Sequence, residues 1–235
     1  MATPHTLDVL HKGRVRSREL TLALYEDVTQ HIRTKPTEAV AIEVSDYLHG
    51  HVLCLQAGAG LLACIAARQN PMITRVTCIE ADPDLVEAGR VLFSQAEWLN
   101  RDPLEADAYH SRVNAVLSWP ELGTVSPTRR RFGIRSTTNV HHLICAAASY
   151  AEFGVFVIPI RHAPVLRRDS YTSTIDDRSV TQFREDSRIA MQSFDGGSAA
   201  ADLADANRTI VRAHLSPFLD SLAKPAPDLF DAQAI

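Results

Sequence analysis

The sequence has few cysteines and no excess of positive charge. None of the cysteines belongs to a C-x-x-C pair, so we expect neither a disulfide framework nor a cysteine metal site. All four lie in apolar runs, as is typical of reduced core residues in an intracellular protein: Cys54, Cys64, Cys78 and Cys145. The 24 basic residues are outnumbered by 28 acidic ones, which excludes an overall positive field that would attract nucleic acid. Any DNA or RNA binding must therefore come from a local patch.

Long apolar runs are also missing. No stretch approaches the length that crosses a bilayer, and the N-terminus lacks the apolar core of a signal peptide. We therefore expect a cytoplasmic protein with no membrane partner. Its 235 residues are 46% hydrophobic and 22% charged, which predicts a globular α/β domain with a proper core.

A βαβ unit is predicted near the first third of the chain. An apolar run at residues 52–55 is followed by Gly58 and Gly60, then by an alanine- and leucine-rich helix that ends near Arg68. A second β-branched run at residues 75–79 ends at Glu80. A glycine turn brings backbone N–H groups close to a ligand, and an acid after the second strand can accept hydrogen bonds from a ribose. The unit predicts an adenosine-containing cofactor; the alternative is that the glycines serve tight packing only.

Two short motifs in this unit carry a family resemblance. Val-Leu-Cys-Leu-Gln-Ala-Gly-Ala-Gly at residues 52–60 resembles Val-Leu-Asp-Pro-Ser-Ala-Gly-Thr-Gly, the first motif of S-adenosylmethionine-dependent N6-adenine methyltransferases. Ile-Glu-Ala-Asp-Pro at residues 79–83 resembles their second motif, whose acid holds the ribose. Cys54 stands where the family has its first acid, and Leu55 where it has proline.

The resemblance implies a cofactor and the residues that hold it. The cofactor is S-adenosylmethionine, and the implied binding residues are Ala57, Gly58, Ala59, Gly60 and Glu80. The family also contacts adenine with an acid after the third strand, a place that Asp102 or Asp107 would take here. Neither acid follows a clear strand pattern, so the other interpretation is that both are surface acids in a loop.

The implied catalytic motif follows the buried run at residues 114–118. Ser118, Trp119 and Pro120 correspond to the family's Asp/Asn/Ser-Pro-Pro-aromatic motif. In that motif the polar side chain and a proline carbonyl accept hydrogen bonds from the target amino group, while the aromatic ring stacks on the extruded base. Here Glu121 stands in the aromatic position, so Trp119 would stack from a different place. The alternative is that Trp119 packs against the top of the sheet and no substrate binds.

A basic segment comes directly after this motif. The predicted nucleic-acid-binding residues are Arg129, Arg130, Arg131 and Arg135. Arginines next to the active site would contact phosphates, with Phe132 available to a base. The alternative is a solvated loop whose charges balance nearby acids.

The remaining pattern predicts the rest of a doubly wound sheet. We expect a helix at residues 17–34 and a second helix that is capped by Thr37 and has Gly50 as its C′ residue. The helix that starts at Pro83 is expected to extend to Leu99. A helix at residues 139–151 contains adjacent histidines that face different directions, so no metal site is predicted.

The fold expected is a Rossmann-like methyltransferase α/β fold with a mostly parallel sheet and an antiparallel last strand. A buried strand is expected at residues 153–160, and the closing pair at residues 189–194 and 209–215. We divide the chain into N-terminal helices at residues 1–50, the α/β domain at 51–217 and a flexible tail at 218–235. The ligand should lie at the carboxyl ends of the strands, where the strand order reverses.

The resemblance implies methyl transfer to N6 of adenine in DNA. Three departures favour an alternative without catalysis: Cys54, Asn114 where the family often has Asp, and the altered residues 119–121. Such a pseudoenzyme would be a partner subunit, or a phage- or plasmid-type inhibitor of a host protein. Methylation of RNA, protein or a small molecule is the third possibility. The partners expected are thus DNA or a second protein.

Overall fold

The computed structural model describes residues 25–27, 29–30, 35–105, 108–126, 128, 132–164, 177–216 and 218. Most of the predicted first helix lies outside the described residues, although residues 25–27 are helical. Asp107, Arg129, Arg130, Arg131 and nearly all of the predicted tail also lie outside them. The domain boundaries therefore stay predictions.

A seven-stranded sheet with the order β3-β2-β1-β4-β5-β7-β6 forms the centre of the molecule. The strands are β1 (Gly50–Leu55), β2 (Ile73–Glu80), β3 (Glu97–Asn100), β4 (Ala115–Ser118), β5 (Phe153–Pro159), β6 (Ala190–Phe194) and β7 (Arg208–His214). Strands β1 to β5 pair in parallel, and β7 runs antiparallel to both of its neighbours. The strand order reverses between β1 and β4, so the carboxyl ends of these strands frame a crevice. The predicted sheet and its antiparallel last strand are confirmed.

Helices cover both faces of this sheet. They are α1 (Glu38–Ser45), α2 (Leu61–Gln69), α3 (Pro83–Leu92), α4 (Asn139–Ala148), α5 (Arg178–Ser187) and α6 (Ala200–Asp205), with 3-10 turns at Ile160–His162 and Gly197–Ala199. One apolar cluster joins α1, α2 and α3 to the sheet, and a second joins α4 and α5 to its other face. Two buried layers of this kind explain why the central strands are apolar on both sides. No helix among the described residues has the length and apolar character needed to cross a bilayer.

The helix starts follow ordinary capping chemistry. Thr37 caps α1 by accepting a hydrogen bond from the Val40 backbone N–H, as the sequence predicts. Asp82 caps α3 in the same way, with Pro83 in the first turn. Helix α4 is capped by Thr138 and ends at Ala148, three residues before its predicted end.

Two sequence predictions are wrong. Gly50 does not end α1; it is the first residue of β1, with φ +64°, and an added Cβ would lie 2.4 Å from the Asn114 side chain. Leu99 does not belong to α3, because α3 ends at Leu92 and Leu99 pairs with Ile79 in the sheet. The edge strand β3 has only four residues, so its apolar positions are easily read as a continuation of the preceding helix.

Candidate active site

The glycine turn after β1 is built from residues with positive φ. Gln56, Gly58 and Gly60 have φ values of 53°, 57° and 91°. A Cβ on Gly60 would lie 2.6 Å from the Trp98 ring, whereas a Cβ on Gly58 would meet nothing within 4 Å. Gly60 therefore serves close packing, and Gly58 leaves room beside the turn. The interpretation as tight packing fits Gly60, while the contact of Gly58 with a cofactor stays a prediction.

Glu80 lies against this turn at the end of β2. Its Oε2 accepts a hydrogen bond from the Gly58 N–H (2.8 Å), and its Oε1 accepts from the N–H groups of Ala81 (2.8 Å) and Asp82 (3.0 Å). Burial raises the pKa of Glu80, while these three backbone donors act against the rise. A carboxylate has about four acceptor positions, so about one is left for a ribose hydroxyl. The side chain is held in place by backbone groups from two separate turns.

A narrow cleft opens above Gly58 and Glu80, and we call it the cofactor cleft. Ala57 and Ala59 of the turn line it, as do Trp119 and Glu121 after β4. Tyr25, Lys35 and Pro36 also line it. The volume is about 50 Å³, below the roughly 300 Å³ of ordinary ligand pockets. A nucleoside cofactor therefore requires the cleft to widen.

Asp102 is not among the described residues that line the cofactor cleft. It follows β3 by two residues, and its Oδ1 accepts a hydrogen bond from the Leu104 N–H at 3.0 Å. The acid in this position therefore shapes a turn. Its predicted contact with adenine stays a prediction.

The catalytic motif residues have partners inside the protein. Ser118 is fully buried, and its Oγ donates to the Leu55 carbonyl at 2.6 Å. The Pro120 carbonyl accepts a hydrogen bond from Arg208 Nη2 at 2.8 Å. Trp119 lines the cofactor cleft, and the Arg208 guanidinium carbon lies 4.4 Å from the centre of its ring. Of the three residues, only Trp119 lines the cofactor cleft.

Arg208 was not expected from the sequence. Only 3% of it is exposed, and its Nη1 donates to the Val157 carbonyl at 2.7 Å. Burial lowers the pKa of Arg208 to about 10, so the side chain remains a cation near neutral pH. The guanidinium joins the end of β5 to the residues that follow β4.

The sequence is similar to part of one known methyltransferase. No family model matches the sequence. Over 125 residues the chain is 30% identical to a tRNA1(Val) (adenine(37)-N6)-methyltransferase of Klebsiella pneumoniae (strain 342). The match covers 47% of this chain and 51% of the relative, so the chain spans about half the length of that protein.

Solved structures match over a larger part of the chain. A protein described as a class I S-adenosylmethionine-dependent methyltransferase from Listeria monocytogenes superposes with a TM-score of 0.59 at 13% identity, covering 95% of this chain and 81% of its own. The chain has the class I methyltransferase fold. An O-methyltransferase family protein from Burkholderia thailandensis superposes with a TM-score of 0.51 at 12% identity. That match covers 85% of this chain and 59% of the Burkholderia chain. The predicted resemblance to N6-adenine methyltransferases is confirmed by the Klebsiella relative.

Within the methyltransferase fold, a polar network joins the cofactor turn to the catalytic loop. Gln56 Oε1 accepts hydrogen bonds from the Glu121 N–H (3.0 Å) and from Asn139 Nδ2 (3.2 Å). Asn139 Nδ2 also donates to the Glu121 carbonyl at 3.1 Å. Since Asn139 begins α4, three separate segments are held together at the mouth of the cleft.

Of the four arginines predicted to bind nucleic acid, the structure describes Arg135, which forms an ion pair with Asp186. Arg135 Nη2 lies 2.6 Å from Asp186 Oδ1, and the Arg135 N–H donates to Asp186 Oδ2 at 2.8 Å. This arginine therefore fastens the loop after β4 to α5. Its predicted contact with nucleic acid stays a prediction, as do those of Arg129, Arg130 and Arg131, which lie outside the described residues.

The adjacent histidines of α4 are core residues of the methyltransferase fold. Both His141 and His142 are buried. His141 stacks on Phe183 with ring centres 4.2 Å apart, and its Nδ1 lies 2.6 Å from Ser136 Oγ. Among the described residues, no group of three histidine, cysteine or acidic side chains is arranged to hold a metal ion.

Proposed function

We propose that this chain is an S-adenosylmethionine-dependent methyltransferase acting on N6 of adenine in a nucleic acid. The observation that carries the proposal is the Glu80 carboxylate, held by backbone N–H groups of the glycine turn and of its own turn. The name of the Klebsiella relative supports an adenine acceptor and favours RNA. The motif resemblance by itself is to enzymes that act on DNA.

In this proposal Glu80 and the glycine turn hold the cofactor. Glu80 accepts from a ribose hydroxyl, and the open side of Gly58 admits the nucleoside. When bound, the cofactor supplies an electrophilic methyl group. The binding energy used to hold the acceptor next to it replaces the need for a strong base.

The target amino group is oriented by the Pro120 carbonyl. That oxygen already accepts from Arg208, but a carbonyl has two lone pairs and can accept a second hydrogen bond. Ser118 acts indirectly, because its bond to the Leu55 carbonyl holds the end of β4 against β1. Trp119 forms the wall of the cofactor cleft beside the acceptor.

Calorimetric titration with S-adenosylmethionine tests the cofactor step. Wild-type protein should bind in the micromolar range, and Glu80→Ala should lower the affinity at least about 100-fold, since roughly 3 kcal/mol is reasonable for lost hydrogen bonds to a buried charge. Glu97→Ala is the matched control, because Glu97 lies on the exposed edge strand and pairs with Arg75 there. No binding by the wild-type protein would refute the proposal.

Transfer of a tritiated methyl group tests the acceptor. Transfer RNA and double-stranded DNA, each with its adenines present or replaced, should be offered to the same preparation. Adenine-dependent labelling of one of them is expected, with N6-methyladenosine or its deoxy form recovered after digestion. Cofactor binding without labelling of either polymer would instead favour a cofactor-binding protein without catalysis, a role consistent with the internal partners of Ser118 and Pro120.

A further inference from the structure

Position 121 is a departure from the catalytic motif to which the proposed function gives no role. The family resemblance places an aromatic ring there, and this chain has an exposed glutamate. Its main chain is held on both sides, because the Glu121 N–H donates to Gln56 Oε1 at 3.0 Å and the Glu121 carbonyl accepts from Asn139 Nδ2 at 3.1 Å. Glu121 lines the cofactor cleft together with Gly58 and Glu80. A second acidic residue is therefore fixed at this cleft, directly after the catalytic motif.

The charged residues that line the cofactor cleft leave it with an excess of negative charge. One cation, Lys35, is among the described lining residues, and its ammonium is already paired with Glu26 and donates to Thr29 Oγ1 at 3.1 Å. The two lining carboxylates belong to Glu80 and Glu121. None of the ion pairs between residues that the structure describes includes either carboxylate. The cleft is therefore suited to a ligand that carries positive charge.

The two carboxylates differ in what they can still bind. Glu80 accepts hydrogen bonds from three backbone N–H groups, so roughly one acceptor position is left on it. The Glu121 carboxylate accepts no hydrogen bond from the part of the chain that the structure describes. Burial raises the pKa of Glu80 and the charge of Glu121 raises it further, so the two groups are close enough to repel each other. A cation next to Glu121 would offset this repulsion.

The cofactor of the proposed function has a positive charge where it reacts. In S-adenosylmethionine the sulfur that holds the methyl group is a sulfonium cation, whereas the sulfur of S-adenosylhomocysteine is neutral. The proposed function assigns the ribose to Glu80 and the acceptor of the methyl group to the Pro120 carbonyl. Because Glu121 follows Pro120 directly and lines the same cleft as Glu80, its carboxylate is on the side of the cleft to which the sulfonium is assigned.

We propose that Glu121 is the counter-charge for the sulfonium of S-adenosylmethionine, and that it allows the cleft to distinguish this cofactor from its demethylated product. The inference rests on the proposed function and adds a cofactor-binding residue to it. Opposite charges in a partly enclosed cleft attract each other more strongly than they do in open water, so the charged cofactor gains affinity. The neutral sulfur of the product gains none from this carboxylate.

Calorimetric titration of each variant with S-adenosylmethionine and with S-adenosylhomocysteine tests the assignment. The wild-type protein should bind the cofactor about tenfold more tightly than the product. Glu121→Gln keeps the size of this exposed side chain but removes its charge. It should lower the affinity for the cofactor about tenfold and that for the product less than about twofold. Glu105→Gln is the matched control, because it removes the same charge from an exposed residue that is not among the described residues lining the cleft, and should leave the ratio of the two affinities unchanged.

The outcomes separate this inference from the proposed function. Failure of the wild-type protein to bind either compound would refute the proposed function and this inference with it. Binding of both compounds with the same affinity ratio in the wild type and in Glu121→Gln would overturn the role of Glu121 alone. An equal loss of affinity for both compounds in Glu121→Gln would also overturn it, because Glu121 would then hold a group that they share, such as the α-ammonium. Product binding by Glu121→Gln close to that of the wild type is the expected result, and it also shows that the variant folds.

Discussion

Two clefts meet at the Trp119–Arg208 pair, yet they are built in different ways. The cofactor cleft is formed largely by one continuous stretch, and its polar groups are backbone N–H donors around Glu80. A second cleft, here called the β7 cleft, is formed by side chains from the ends of separate elements, among them Ile160, Phe194, Leu203 and Arg208. The first is narrow and the second wide, with volumes of about 50 and 460 Å³. Changes at the glycine turn and at the buried Arg208 should therefore disturb the fold as well as binding, while changes at exposed residues of the second cleft should affect stability less.

The largest effect is expected at the glycine turn. Gly60→Ala should lower the free energy of unfolding by about 3 kcal/mol, because it combines a positive φ with a Cβ only 2.6 Å from Trp98. Gly58→Ala should cost about 1 kcal/mol, since only the strain of a positive φ applies. Its methyl group lies beside the cofactor cleft and should weaken cofactor binding about tenfold. Urea unfolding and calorimetry measure both; equal destabilisation by the two variants would contradict the assignment of separate roles.

Acid should destabilise the protein through two buried histidines. Burial lowers the pKa of His141 to about 3, and burial also lowers the pKa of His162, which adjoins it and follows Ile160 of the β7 cleft. The unfolded chain takes up protons below about pH 6.5 that the folded protein does not, so stability is lost as pH falls through that value. His141 alone should cost about 2 kcal/mol at pH 5.

This pH dependence can be assigned with one variant. His141→Gln should remove about 2 kcal/mol of the stability difference between pH 7 and pH 5 in urea unfolding. His110→Gln, at an exposed position, should leave that difference as in the wild type. A pH dependence in His141→Gln equal to that of the wild type would contradict this assignment.

Gln56 connects the cofactor turn with the loop that both clefts share. Gln56→Ala loses the hydrogen bonds to the Glu121 N–H and Asn139 Nδ2 while keeping the positive φ, and should cost about 2 kcal/mol. Gln56→Gly loses the same bonds but adopts φ +53° without strain, so it should be about 1 kcal/mol more stable than the alanine variant. Thermal unfolding of the pair measures the strain. A less stable glycine variant would show that this conformation costs little.

The smallest effect is expected at Arg135. Because its partners Asp186 and Glu185 are on α5 and the arginine itself is exposed, Arg135→Ala should cost less than about 1 kcal/mol. Nucleic-acid affinity should change less than twofold, since the guanidinium already has an acidic partner. Filter binding with tRNA at two salt concentrations checks this. A clear loss, with a smaller salt slope, would identify Arg135 as a phosphate contact.

The parts of the fold that were predicted are those with a strong local pattern. Strands β1, β2, β4 and β5 are apolar runs bounded by turn residues. The two closely spaced glycines after β1 indicate a turn by themselves. Helix α5 was missed because it is largely polar and buries only Val180, Phe183 and Ser187. Helix α6 has six residues and no side-chain cap, so its signals are equally weak.

In the candidate site, too, the sequence predicts the residues whose environment is local and not those whose environment comes from distant parts of the chain. Glu80 was found because its environment is set within a single βαβ unit. Arg208 was not found, because its burial depends on carbonyls 51 and 88 residues away in the chain. An arginine at the start of a strand has no local signal of burial; charged side chains are buried only when the fold supplies their partners. Likewise Ser118 and Pro120 matched the motif, but their internal partners depend on Leu55 and Arg208.

Three residues that line the cofactor cleft bear on the timing of turnover: Tyr25, Lys35 and Pro36. Tyr25 is buried, and Lys35 Nζ lies 5.7 Å from the centre of its ring. Under the proposed function, we expect that the demethylated cofactor bound beside Tyr25 and Pro36 leaves only when these residues move. We then expect product departure to limit the steady-state rate. A rapid first round of methylation followed by slower rounds is the kinetic signature, and Tyr25→Ala should shorten the residence time of the demethylated cofactor.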